Sequence, residues 1–221
     1  MKKLLLPLFL LFATNCWAFP TTPVLDTFTR ANSTTTLGPN WTVDATHNDN
    51  LGILSNRAYN PVGNVNGQDY WNVNTFNGIV EIYFTFNTLG GNGSGAKVEM
   101  TTDTSIHNGY EVRVNNPSNN ISIERLDADA ETILLSVAQV FSAGDSYGFS
   151  YNEMTGVLTE WYESGSGAWV ALGSVTDTTY KNVKYLSINI GQTAARLSNF
   201  GGGSLPMVDI NNACINKANI N

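Results

Sequence analysis

Chemistry in this chain would have to come from carboxylates, amides and aromatic rings. Only two histidines, His47 and His107, and two cysteines, Cys16 and Cys214, occur in 221 residues. Each histidine stands alone beside turn residues, which reads as a surface imidazole rather than a base or ligand. There is no Gly-x-Ser-x-Gly elbow and no Cys/His cluster of the zinc type. Glu99 and Asp103 are four apart and share one face of a strand. Glu160 and Glu163 have odd spacing and face opposite sides. Asp127, Asp129 and Glu131 read as a solvated turn. No acid–base pair emerges, so the chain reads as non-catalytic. The segment Asn64-Val65-Asn66-Gly67-Gln68-Asp69-Tyr70-Trp71-Asn72 is a better lead. Sugars stack their C–H faces on rings while amides take their hydroxyls, the mixture expected of a small-ligand site. The candidate ligand-binding residues are Asn66, Gln68, Tyr70, Trp71 and Asn72. Tyr70 and Trp71 also open a strand, so a core role competes with ligand contact. Trp41, Trp161 and Trp169 read as core.

The elements that must position these residues are strands. Runs at 110–114, 121–126, 132–136, 146–151, 157–163 and 168–172 are short and separated by Asn, Gly, Asp and Ser clusters. Such clusters reverse a chain, because Gly and Asn adopt positive φ cheaply and Asp and Ser bond their own backbone. Short strands joined by tight turns mean an antiparallel sandwich or barrel. Residues 79–86 and 185–190 alternate, which places Leu186, Ile188 and Ile190 on a core face. The glycine-rich stretch 90–95 reads as a hairpin end, since it lacks the Lys-Ser/Thr ending of a phosphate loop. No helical segment is expected after the N-terminal leader.

Charged residues are only 13% of the chain against about 25% in an average protein. Its polarity is therefore carried by neutral groups, as in many extracellular β proteins. The net charge of −7 argues against nucleic acid, whose affinity comes from Lys and Arg on phosphates. Residues 1–18 read as a secretory signal: Lys2 and Lys3, an apolar run over 4–13, and small residues at Cys16 and Ala18 before a cut. The run is too short to span a bilayer comfortably. Residues 19–24 then read as a linker and 204–221 as an unpatterned tail. Cleavage would leave Cys214 without an intrachain partner, and the tail leaves room for self-association.

One pattern carries a resemblance. Asp26-x-Phe28-x-Arg30-Ala31, then Leu37-Gly38 and Trp41, is similar to the opening of bacterial and phage laminin-G-like domains of the concanavalin A-like lectin/glucanase superfamily. Residues 52–56, 110–114, 121–125, 144–147, 156–158 and 167–169 continue it, and Arg196-Leu197-Ser198-Asn199-Phe200 resembles the returning last strand. The resemblance covers residues 25–203. It implies an all-β, two-sheet antiparallel jelly-roll sandwich, with room for a structural calcium near Asp26 and Asn199; Asn199 replaces a usual Asp and lowers the charge calcium prefers, so a hydrogen-bonded strand-end pair is the favoured reading there and no cofactor is expected. Laminarinase-type members carry Glu-x-Asp-x-x-Glu on one strand, which nothing here matches. The expectation is a secreted or cell-surface protein, periplasmic at the least distance, that binds a glycan or cell-surface polymer. A structural or assembly protein of a cell-surface layer, fibre or virion is the alternative, and a divergent polysaccharide hydrolase or lyase the third.

Overall fold

A computed structural model describes residues 18–47, 49–62, 66–88, 95–115, 118–165, 167–191 and 194–205. Residues 1–17 of the leader, 90–94 of the glycine-rich stretch and 206–221 of the tail, Cys214 among them, lie outside these residues. Fifteen strands follow one another: β1 (Val24–Asp26), β2 (Trp41–Val43), β3 (Gly52–Ile53), β4 (Ala58–Tyr59), β5 (Gly67–Trp71), β6 (Ile79–Thr88), β7 (Ala96–Thr101), β8 (Gly109–Asn115), β9 (Asn120–Asp127), β10 (Ala130–Ala138), β11 (Ser146–Asn152), β12 (Val157–Glu163), β13 (Val170–Thr176), β14 (Tyr185–Ile190) and β15 (Arg196–Leu205). No helix occurs among the described residues. Two antiparallel sheets result. One has the order β13-β12-β11-β6-β15-β4-β3, with β1 also on β15; the other has β10-β9-β8-β7-β14-β5-β2. This is the expected jelly-roll sandwich.

Alternation decides which side chains meet between the sheets. From the eight-stranded sheet come Val80, Ile82, Phe84 and Phe86 of β6 and Tyr147, Phe149 and Tyr151 of β11. From the seven-stranded sheet come Val98, Met100, Val112, Val114, Ile121 and Ile123. Leu186, Ile188 and Ile190 are buried there as the alternation predicts. Each such burial contributes roughly 1.5–3 kcal/mol. The consequence for function is geometric: every second residue of β5, β7, β8, β9 and β14 must face away from this core.

Trp161 and Trp169 depart from the core reading. Both pack on Phe19 instead, Trp161 stacked at 4.9 Å with rings 1° from parallel, Trp169 edge-on at 4.8 Å. Phe19 is itself buried. Residues 19–22 therefore lie along the eight-stranded sheet rather than hanging free. The N–H groups of Thr21 and Thr22 donate to Glu81 Oε2 at 2.9 and 3.1 Å, and Tyr83 OH donates to Thr22 O at 2.8 Å. Glycine is required at the cradle: a Cβ on Gly148 would sit 2.4 Å from Ile82 O and 2.9 Å from the Phe19 ring.

Candidate functional site

The outward residues of β5, β7, β8, β9 and β14 are polar and mostly buried, an unusual state for a sheet's outer face. Register lines them up. Tyr70, Ser187, Glu99, Glu111 and Glu124 form one cross-strand row. Gln68, Asn189, Lys97, Arg113 and Ser122 form the next. Adjacent strands are about 4.8 Å apart, so these side chains touch.

One end of the rows is an amide–carboxylate network. Gln68 Nε2 donates to Glu99 Oε2 at 2.6 Å and to Ser187 Oγ and Tyr70 OH at 3.2 Å. Asn189 Nδ2 donates to Gln68 Oε1 at 3.1 Å. The other end is ionic. Lys97 Nζ lies 3.1 Å from Glu111 Oε1 and also bonds Glu131. Arg113 bonds Glu131 and lies 3.5 Å from Glu124 Oε2. Burial raises the Glu99 carboxyl above its ordinary range, against the pull of Lys97. Burial raises Glu111 well above it, and the neighbouring Glu99 and Glu124 carboxylates add to the effect while Lys97 opposes it. Burial works against charge on Glu131 too, but the bonds from Lys97 and Arg113 outweigh it and hold that group low.

A cavity of about 160 Å³ opens over this network, lined by Asn66, Gln68, Asn189, Lys97, Glu99 and Glu111 among others. Glu111 Oε2 and Asn189 Oδ1 take no hydrogen bond from the protein, and Glu111 Oε1 and Glu124 Oε2 have only their ion pairs with Lys97 and Arg113. Buried polar atoms without partners are rare, and a ligand rich in hydroxyls would satisfy them.

The five residues singled out from the sequence divide. Gln68 and Asn66 line the cavity, and Tyr70 stands on the same face. Asn72 is exposed past the end of β5 and donates to Thr42 Oγ1 at 3.0 Å. Trp71 belongs to the opposite face. It is buried in the inter-sheet core, edge-on to Trp41 at 5.5 Å, with Nε1 donating to Asn74 Oδ1 at 3.0 Å. The parity of β5 turns it away from the cavity.

Other site residues were hidden from sequence reasoning. Glu99, Glu111 and Glu124 lie on three strands, and only their register unites them. Their signal was an isolated charge inside each apolar strand. Asp129 is exposed in the turn between β9 and β10 and Glu131 is exposed at the start of β10, as expected, and both also line the cavity. His107 is not a surface histidine but fully buried, stacked on His47 at 5.0 Å.

At Asp26 and Asn199 the protein's own donors occupy the position where calcium is the alternative. β1 and β15 do pair, with Asp26 opposite Phe200. The Asp26 carboxylate, however, is consumed by Arg30, by Phe28 N at 2.7 Å and by Trp41 Nε1 at 2.7 Å. Asn199 donates to Thr85 Oγ1 at 3.4 Å.

No family model and no curated protein matches the chain. Solved structures of the same fold do. The carbohydrate-binding module CBM66 from Bacillus subtilis superposes with a TM-score of 0.57 at 11% identity, over 78% of this chain and 100% of that one. The exoplasmic/lumenal domain of VIP36 in its Ca²⁺-bound form gives 0.61 at 14% identity, over 85% and 91%. Winged bean acidic lectin complexed with methyl-α-D-galactose gives 0.57 at 12% identity, over 75% and 92%. The chain thus has the jelly-roll fold of lectins and carbohydrate-binding modules. No helix among the described residues is long and apolar enough to cross a membrane.

Proposed function

We propose that this chain is a secreted, non-catalytic glycan-binding module of laminin-G-like type, working at or outside the cell surface or in the periplasm. One observation carries the reading: a polar cavity on the outer face of the seven-stranded sheet, lined by Gln68, Asn189 and Glu111, in which Asn189 Oδ1 and Glu111 Oε2 accept no hydrogen bond from the protein. Gln68, Asn66, Asn189 and Tyr70 are the residues for sugar hydroxyls. The lectin and carbohydrate-binding neighbours support the choice of ligand class, with glycan or a cell-surface polymer as partner. A glycan array probed with residues 19–221 tests it. The Gln68→Ala/Asn189→Ala variant, its fold followed by circular dichroism, is expected to bind at least 10-fold more weakly. Absence of glycan binding by the unaltered protein overturns the reading.

A second reading, polysaccharide hydrolysis or elimination, is favoured by one feature. Glu99 and Glu111 stand directly opposite on adjacent strands, so two carboxyls share one site, as glycosidases require. The raised Glu111 would supply the acid. Release of reducing ends from a polysaccharide panel, abolished by Glu111→Gln, separates it from binding alone.

A further inference from the structure

Beside the cavity lies a group of side chains that the glycan reading does not use. The chain's two histidines come from loops 60 residues apart, yet their rings stack at 5.0 Å with 15° between planes. Between them sits Asp44, the residue after β2. Its N–H donates to Gln68 O at 2.9 Å, which fixes it to β5. Its two carboxylate oxygens have different tasks. Oδ1 accepts from Thr46 N at 2.7 Å and Thr46 Oγ1 at 2.8 Å, closing an Asx turn. Oδ2 faces both imidazoles, 2.7 Å from His107 Nε2 and 3.2 Å from His47 Nδ1. Burial works against charge on Asp44, but the Thr46 bonds and the adjacent His107 outweigh it and keep the carboxyl below its ordinary range.

His107 is held there at a cost. It has φ 56°, left-handed for a residue with a Cβ, which is unfavourable by about 1 kcal/mol or more. Asp103 holds the loop by accepting from Ser105 N and Ile106 N. Tyr70 packs edge-on to the His107 ring at 5.9 Å. Behind that ring Asp129 Oδ1 lies 2.6 Å from Nδ1, a close contact out of line for a hydrogen bond. Strain of this kind persists where the surroundings over-determine a geometry, and such positions cluster at ligand clamps.

We infer that Asp44 Oδ2, His47 Nδ1 and His107 Nε2 form a binding site for a divalent transition metal of the zinc class. The three residues' ligand atoms lie within 4.8 Å of one another. Two imidazole nitrogens and one carboxylate oxygen are a zinc donor set, and three protein ligands leave a fourth position open. The set is wrong for calcium, which takes six to eight oxygens. Asp129 stands beside the other ring nitrogen of His107, where a carboxylate accompanies many metal-bound histidines. The other acidic group within reach of a metal, Glu111 with Glu124 and Glu131, already has the cations Lys97 and Arg113 paired into it. Because His47 and Asp129 also line the cavity, the metal would sit at its rim.

The inference rests on these residues and not on glycan binding, so the two stand or fall separately. The test is equilibrium dialysis of the full chain against Zn²⁺ at pH 7.5, with metal quantified per chain, and the absorption spectrum of the Co²⁺ form. The expected result is one Zn²⁺ per chain and the intense visible bands of four-coordinate Co²⁺. His47→Ala should weaken Zn²⁺ at least 10-fold and His107→Gln at least as much. Because His107 is buried and its variant could fail to fold, His47→Ala, a partly exposed side chain, decides the matter with its fold followed by circular dichroism. Absence of Zn²⁺ from the unaltered protein, or affinity unchanged in His47→Ala, overturns the inference.

Discussion

At the scale of single residues, β5 shows how one step along a strand separates a ligand contact from a core contact. Tyr70 and Trp71 are adjacent, and composition treats them alike. Strand parity sends Tyr70 OH to Gln68 on the outer face and the Trp71 indole to Trp41 in the core. Trp71→Ala should therefore cost roughly 3–5 kcal/mol of stability through the cavity it leaves. Chemical denaturation checks this, and an unchanged midpoint would remove Trp71 from the core. The same parity explains which part of the site was legible. Gln68 and Asn66 belong to a continuous polar run with an aromatic neighbour, and a run can be read locally. Glu99, Glu111 and Glu124 cannot, because their proximity is created by β7, β8 and β9 pairing in one register. His47 and His107 are harder still: 60 residues separate them, and a lone histidine carries no mark of the partner that folding brings to it.

At the scale of elements, strands were readable and connections were not. The runs at 157–163 and 185–190 coincide with β12 and β14, since alternation and flanking turn residues agree there. β13 begins two residues later than the run at 168–172, because Trp169 leaves the strand to meet Phe19. Residues 19–24 have linker composition, yet the segment is an element in its own right. Phe19 fills a groove of Trp161, Trp169 and Tyr83. A leader cut after Ala18 would make this ring the first residue of the chain. Phe19→Ala should then cost roughly 2–3 kcal/mol, below the full loss for a central core position because a chain end relaxes more freely. Thermal melting of the 19–221 form measures it; a variant with the parent's melting temperature would return the segment to the status of a linker. Loss of the stacked ring should also change Trp161 fluorescence, since the two rings lie 4.9 Å apart.

At the scale of the whole molecule, burial of carboxyl groups sets how stability depends on pH. Glu160 faces the sandwich interior from β12, fully buried, with neither oxygen accepting a hydrogen bond. Burial alone pushes it up from 4.5 to about 8. Asp69 rises to about 7, chiefly through burial, with Asp44 adding and Leu51 N opposing. Glu99 and Glu111 move the same way. For such groups the folded state holds a proton that the unfolded chain has released. For Glu160 the contribution is complete below about pH 4.5 and is lost as pH rises toward 8, and Asp69 follows with its loss complete near 7. At ~1.4 kcal/mol per tenfold change in affinity, Glu160 accounts for a loss on the order of 5 kcal/mol across that window. Asp44 and Glu131 are shifted down and act oppositely, losing their contribution only as pH falls below about 4. Maximal stability should therefore lie in the mildly acidic range, near pH 4–5, and decline toward pH 8. Glu160→Gln keeps the shape of the protonated acid without its titration. It should flatten the decline between pH 5 and 8 and raise the melting temperature at pH 8 while changing it little at pH 4.5. Urea midpoints at those three values decide it: a parent protein as stable at pH 8 as at pH 5, or a variant with the parent's slope, would show that Glu160 does not reach the interior uncharged.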